Sequence, residues 1–115
     1  MIVKRGDILL VNLEPAYGSE QGKIRPCLIV QNDIANKFSP TTIIVPLTTA
    51  VSNKQYPTEP VIEAGDSGLK ERSAVLCNQI RTISVEDRIL KNIGSLKPEI
   101  MKKIDDALKA TLALE

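Results

Sequence analysis

Short runs of Val, Ile and Leu recur along the first three quarters of the chain, each closed within a few residues by a turn signal. This rhythm constrains the fold more than any other feature. Asp7 to Leu13 reads as a strand opened by the Gly6-Asp7 turn and closed by Pro15. Pro26 to Gln31 is a continuous apolar run, the pattern of a central strand covered on both faces. Thr42 to Leu47 supplies a third strand, bounded by Pro40 and by the polar pair Thr48-Thr49. Pro60 to Glu63 and Ser73 to Cys77 are weaker fourth and fifth candidates, split by the turn-rich stretch Ala64-Gly65-Asp66-Ser67-Gly68. Gln79 to Ile83 and Ile89 to Leu96 supply further short strands. Aromatic residues make up only 3% of the chain, with no Trp, so the core has to be aliphatic, a composition that favours strands. Short strands at regular spacing with turns between them predict a small barrel or sandwich.

The period changes after Pro98. Proline pre-sets the first helical turn, and Glu99 places negative charge at the positive end of the helix dipole. Met101, Ile104, Leu108 and Leu112, with Ala107 and Thr111 beside them, then fall on one face, opposite Lys102, Lys103, Asp106 and Lys109. An amphipathic helix packed on the barrel is the expectation. Ser84-Val85-Glu86-Asp87 has the pattern of a capping box for a separate short turn of helix. No repeat or linker divides the 115 residues, so residues 1–115 read as one domain.

Composition narrows the chemistry. At 43% hydrophobic and 25% charged the chain has the make-up of a folded domain. The net charge of +1 means that any polyanion site must come from local clustering of Lys and Arg, with Lys23, Arg25, Lys54 and Arg81 as the candidates. No apolar run follows a basic start and none approaches bilayer length, which places the chain in the cytoplasm with no membrane partner. Two Cys, no His and no CxxC pair argue against zinc, and no cofactor or metal is expected. Cys27 and Cys77 sit inside apolar runs and read as buried thiols in a reducing compartment. Without His, a paired-imidazole ribonuclease mechanism, a His-based triad and a metalloprotease site are excluded.

Two loops stand out as places for a site. Gly18 to Arg25 is the longest uninterrupted polar stretch and exceeds what a tight hairpin requires; Thr48 to Pro60 is the second. The first carries Glu20 and Arg25, and Thr48 closes a strand. Cutting RNA without a metal needs a base for the 2′-hydroxyl proton, a cation for charge developing on the phosphorane, and a proton for the leaving 5′-oxygen. A carboxylate, a guanidinium and a hydroxyl answer those needs, and the planar fork of Arg suits phosphate. These residue types are equally at home in a solvated loop, with Arg25 merely preceding a strand that starts on Pro26 and Thr48-Thr49 serving as a turn. Tyr17 and Tyr56 are base-stacking candidates or plain rim residues. Residue type alone leaves these alternatives open.

A wider pattern weighs on them. Arg5-Gly6-Asp7-Ile8, then Gly18-Ser19-Glu20-Gln21-Gly22-Lys23-Ile24-Arg25-Pro26 and Val30-Gln31-Asn32-Asp33, resemble the N-terminal half of the MazF/PemK toxins. Ile44-Val45-Pro46-Leu47-Thr48-Thr49 and the run from Ser73 to Ile83 resemble that family's later motifs, so the similarity extends from Met1 to the terminal helix. The resemblance implies a mainly β fold, an SH3-like, partly open β-barrel with a packed C-terminal helix, working as a homodimer. It implies a metal-independent, sequence-specific endoribonuclease that cleaves single-stranded RNA (mRNA) by 2′-hydroxyl transesterification, leaving a 2′,3′-cyclic phosphate and a 5′-hydroxyl. A MazE-like antitoxin would neutralise it, and DNA would be bound at most indirectly through the antitoxin complex. Residue by residue, the resemblance places catalysis on Arg25, Thr48 and Glu20. RNA-binding positions fall on Tyr17, Ser19, Gln21, Lys23, Asn32, Asn78 and Gln79. Two other readings suit a small barrel: a CcdB-like toxin that poisons DNA gyrase, and a non-catalytic SH3-like binding module. The set Glu20, Arg25 and Thr48 disfavours the first, and the long polar loop disfavours the second.

Overall fold

The structure, a computed structural model, describes residues 1–65 and 67–115. Among the described residues, seven strands and three helices follow in the order β1 (Asp7–Asn12), β2 (Ile24–Ile29), α1 (Asp33–Phe38), β3 (Thr41–Thr48), β4 (Val61–Ile62), β5 (Ser73–Val75), β6 (Arg81–Ser84), α2 (Val85–Arg88), β7 (Ile89–Ser95) and α3 (Pro98–Leu112). The strands form one curled antiparallel sheet in the order β4-β5-β3-β2-β1-β7, with β6 also paired to β3. The chain is mainly β with a C-terminal helix, as its spacing predicts.

The curl originates at β3. Its first half, Thr41 to Ile44, pairs with β6, while Leu47 and Thr48 pair with β5. One edge of an eight-residue strand is thus shared between two partners that diverge from it. The other edge takes β2 in the register Cys27↔Pro46, Leu28↔Val45, Ile29↔Ile44.

Both faces of the central strands are buried, which is why β2 and β3 read as unbroken apolar runs. Alternation survives underneath. Ile8, Leu28 and Val45 point to one core, shared with Met101, Ile104 and Ala107 of α3. Leu9, Cys27, Ile29 and Ile44 point to a second core, with Val11, Leu13, Ile83 and Ile89. A one-residue slip of β2 would exchange the two sets, so the register is strongly specified.

Helix α3 begins with proline in its first turn and ends in a left-handed Ala113 at φ 56°, whose N–H donates to Ala110 O and Lys109 O. Burying a side chain such as Ile104, with no exposed surface, contributes about 1.5–3 kcal/mol. Leu108 is half-buried and packs against the same core, whereas Leu112 is 54% exposed, where the sequence places it on the packed face. The helix outruns the sheet. Helix α2 forms at the expected capping box, with Ser84 Oγ accepting from Asp87 N at 3.3 Å and donating to Asp87 Oδ2 at 2.8 Å. Helix α1 has no counterpart among the expected elements. Among the described residues, no helix is long and apolar enough to cross a membrane.

Candidate active site

The polar loop between β1 and β2 is built on its own side chains and on clamps from distant elements. Its root is Leu13 N donating to Lys23 O at 2.9 Å. Arg81, at the start of β6, donates from Nη1 to Leu13 O at 2.7 Å. Arg88, closing α2, donates from Nη1 to Asn12 O at 3.1 Å and to Glu14 O at 2.7 Å. Three successive carbonyls at the end of β1 are therefore gripped by two guanidinium groups. Further out, Gln79 holds the loop from both sides of its amide: Oε1 accepts from Gln21 N at 2.8 Å and Nε2 donates to Ser19 O at 3.4 Å. Glu20 Oε1 accepts from Tyr17 N at 2.8 Å, folding the loop tip into a turn.

Two concavities are lined by residues of this loop. The larger, about 710 Å³, has an apolar floor that includes Leu13, Ile44 and Pro46, and a polar rim of Tyr17, Ser19, Glu20, Gln21, Asn78 and Gln79, with Arg81 and Arg88. The smaller, about 270 Å³, is lined by Lys23, Arg25, Thr48, Thr49 and Ser73 over Ile24, Pro26 and Leu47.

In the smaller groove, strand register brings Arg25 and Thr48 together. Continuing the β2–β3 pairing two residues beyond Cys27↔Pro46 sets Arg25 opposite Thr48. Arg25 is half-buried, and its Nε donates to Gly22 O at 2.9 Å, which leaves the Nη groups to face the groove. Thr48 Oγ1 accepts from Ala50 N at 3.1 Å, so the hydroxyl proton is available to an incoming acceptor. Lys23 adds a second positive charge to the same rim.

Nine of the ten residues that the family resemblance assigns to catalysis or RNA binding line one groove or the other, and Tyr56 lines neither. The division was not anticipated: Glu20 opens into the larger groove, whereas Arg25 and Thr48 share the smaller. Asn32 joins neither. Its side chain caps α1, accepting from Ala35 N at 2.8 Å, beyond the far end of β2 from Arg25. Lys54 lines neither groove as well, so the local cations are Lys23, Arg25, Arg81 and Arg88. Arg88 was missed by sequence reasoning, because a lone arginine closing a four-residue helix gives no sign of which carbonyls it will reach.

Neither thiol is a nucleophile. Burial pushes the Cys27 thiol up to about 12, against the opposing pull of the Arg81 and Arg25 guanidinium groups. Burial alone pushes Cys77 up to about 12. Both side chains are fully enclosed, as their apolar runs predict.

The architecture and sequence both have relatives. Endoribonuclease EndoA of Bacillus subtilis (strain 168) is 46% identical over 114 residues, covering 99% of this chain and 97% of that protein. The crystal structure of MazF (Form-I) from Deinococcus radiodurans superposes with a TM-score of 0.85 at 22% identity, covering 99% of each chain. A mycobacterial endoribonuclease in complex with its cognate antitoxin superposes with a TM-score of 0.79 at 24% identity, covering 98% of this chain and 97% of that one. The family model described as PemK-like, MazF-like toxin of type II toxin–antitoxin system matches residues 4–112, and the chain belongs to that family.

Proposed function

We propose that this chain is the endoribonuclease toxin of a cytoplasmic toxin–antitoxin pair, cutting single-stranded RNA without a metal and leaving a 2′,3′-cyclic phosphate and a 5′-hydroxyl. The observation that carries the reading is the meeting of Arg25 and Thr48 across two strands in one open groove, Arg25 spending only Nε on its own loop and Thr48 only an acceptor lone pair. The 46% identity to an endoribonuclease supports the same reading.

A scissile phosphate seated there accepts from the Arg25 fork and the Thr48 hydroxyl. Arginine as a residue type keeps its proton at neutral pH, so Arg25 acts by holding charge. A donor of this kind is worth ~2.7–4 kcal/mol in the transition state. The ribose 2′-oxygen attacks phosphorus as its proton passes to solvent water, the P–O5′ bond breaks, and the leaving 5′-oxygen takes a proton from water to give the 5′-hydroxyl; Glu20, on the rim of the other groove, acts on the flanking nucleotides. Glu20 uses Oε1 on Tyr17 N, which leaves Oε2 for a donor in the larger groove. The larger groove suits flanking nucleotides: its apolar floor takes base faces, and Tyr17, Asn78 and Gln21 offer a ring and amides to unpaired bases. An antitoxin segment of MazE type would compete for the same surface.

Incubation with a single-stranded oligoribonucleotide, followed by end mapping, tests the reading. Cutting at a short preferred sequence with the stated ends is the expected result. Intact RNA under conditions where the fold is retained would return the chain to the gyrase-poison alternative.

A further inference from the structure

Glu14 lies outside every motif considered so far, yet its carboxylate occupies the one place where the β1–β2 loop turns back toward Arg25. Glu14 Oε2 accepts from Lys23 N. Lys23 has φ 63°, a left-handed conformation that is unfavourable for a side chain with a Cβ and persists where surrounding bonds impose it. The preceding residue, Gly22, presents its carbonyl to Arg25 Nε at 2.9 Å. The space beside Gly22 is taken by the same side chain: an added Cβ would displace the Glu14 carboxylate and come within 3.1 Å of Ala16 Cβ. Glu14 itself is anchored through its backbone, with its N–H donating to Asn12 Oδ1 at 3.0 Å and its carbonyl accepting from Arg88 Nη1 at 2.7 Å. A continuous path thus runs from Arg88 through Glu14 and the Gly22–Lys23 turn to Arg25.

We infer that Glu14 is a positioning residue for Arg25: its carboxylate holds the left-handed turn at Lys23 that aims the Gly22 carbonyl, and through it the Arg25 guanidinium, into the groove shared with Thr48. The inference rests on the assignment of Arg25 to the scissile phosphate. Glu14 is exposed and buries no apolar surface, so its loss leaves both cores intact while releasing the turn. Misplacing a reacting group by about 1 Å costs on the order of 10²-fold in rate.

The test is turnover of an oligoribonucleotide by full-length variants, with kcat and KM separated and a thermal melt beside each. Glu14→Ala should lower kcat by about 10- to 100-fold while KM and the melting temperature stay near those of the parent. Glu14→Gln should recover most of the rate, because an amide oxygen still accepts from Lys23 N. Gly22→Ala, which displaces the carboxylate but keeps the backbone anchors of Glu14, should slow cleavage similarly. The double variant should be no slower than Glu14→Ala alone, since both changes break one contact. Glu14→Ala within twofold of the parent, Glu14→Gln as slow as Glu14→Ala, or a double variant falling by the product of the two would each overturn the inference. Should Glu14→Ala melt at assay temperature, the Gln and Gly22→Ala arms decide the matter by the same criteria. Arg25→Ala run alongside separates the two levels: parental speed there removes the site assignment itself, whereas a dead Arg25→Ala beside a fast Glu14→Ala removes only the positioning role.

Discussion

Arg25 and Thr48 face one groove from neighbouring antiparallel strands, and each is oriented by one hydrogen bond to its own loop: Arg25 Nε to Gly22 O, and Ala50 N to Thr48 Oγ1. Orientation by a third group is what distinguishes a preorganised donor pair from two side chains that happen to be close.

Arg25→Ala should lower kcat by about 10²- to 10³-fold, the loss that follows removal of a transition-state charge holder. Arg25→Lys should be almost as slow, because a point charge cannot use two Nη donors at once or keep the bond to Gly22 O. Thr48→Ser should retain much more activity than Thr48→Ala, since it keeps the hydroxyl. Both positions are only partly buried, so melting temperatures should change little. Near-parental turnover by Arg25→Ala would remove it from the reaction.

Cleavage should survive excess EDTA. Among the described residues no group of three or more His, Cys, Asp or Glu side chains gathers in one place, and the chain has no His. Replacing the ribose on the 5′ side of the cut with 2′-deoxyribose should abolish cutting while preserving binding, because the nucleophile is gone and the phosphate remains. A deoxy-substituted strand that is still cut would require an attacking water and a different mechanism.

The two thiols give a pH signature of stability. Cys27 and Cys77 ionise near 9.0 when exposed and near 12 when folded, so the folded state resists losing their protons. Below pH ~9 both states hold the proton and the thiols add no pH dependence. Between about 9 and 12 the unfolded chain is favoured by ionisation, and stability falls as pH rises. Replacing both with alanine should flatten that limb relative to the parent, although the vacated volume lowers stability at every pH. Melts at pH 7 and pH 10 measure the difference; equal slopes for parent and variant would mean that the thiols are not enclosed.

Much of this could be read in the sequence because burial on two faces leaves a simple mark. Cys27, Leu28 and Ile29 have no exposed surface, and their unbroken apolar run predicts it. The Ser84 cap and the Pro98 start were equally legible, since each depends on neighbours within one turn. Helix α1 was not. It is six residues long, with Ile34 and Phe38 each 77% exposed, so no apolar stripe marks it. Its one signal, Asn32 ahead of Asp33, fell inside a stretch that the family resemblance assigned to RNA. The site was legible as a list of residues and not as an arrangement. Glu20 and Arg25 are five positions apart, but the left-handed turn at Lys23 sends them into different grooves. The grip of Arg88 on Glu14 spans 74 positions, a distance over which sequence spacing carries no geometric information.

The protein should be a twofold homodimer, and an acidic, flexible antitoxin segment should exclude RNA from it. A chain of 115 residues with an aliphatic core gains from closed pairing, the commonest way for a small domain to bury more apolar surface. Unburied apolar side chains are available for it, including Ile34 and Phe38 on α1, Leu112 at the end of α3 and Leu114 beyond it. The grooves themselves carry Lys23, Arg25, Arg81 and Arg88. Cations that accommodate phosphates also accommodate carboxylates, and a disordered segment can wrap over open concavities that a rigid domain could not enter. Both ligands should therefore bind more weakly as salt rises, RNA more steeply because it releases condensed counterions. Light scattering gives the mass, and titration of an acidic antitoxin peptide against uncleavable 2′-deoxy-substituted RNA reads the overlap. A monomer at micromolar concentration would remove the dimer. Saturation with peptide that leaves RNA affinity unchanged would place the two on separate surfaces.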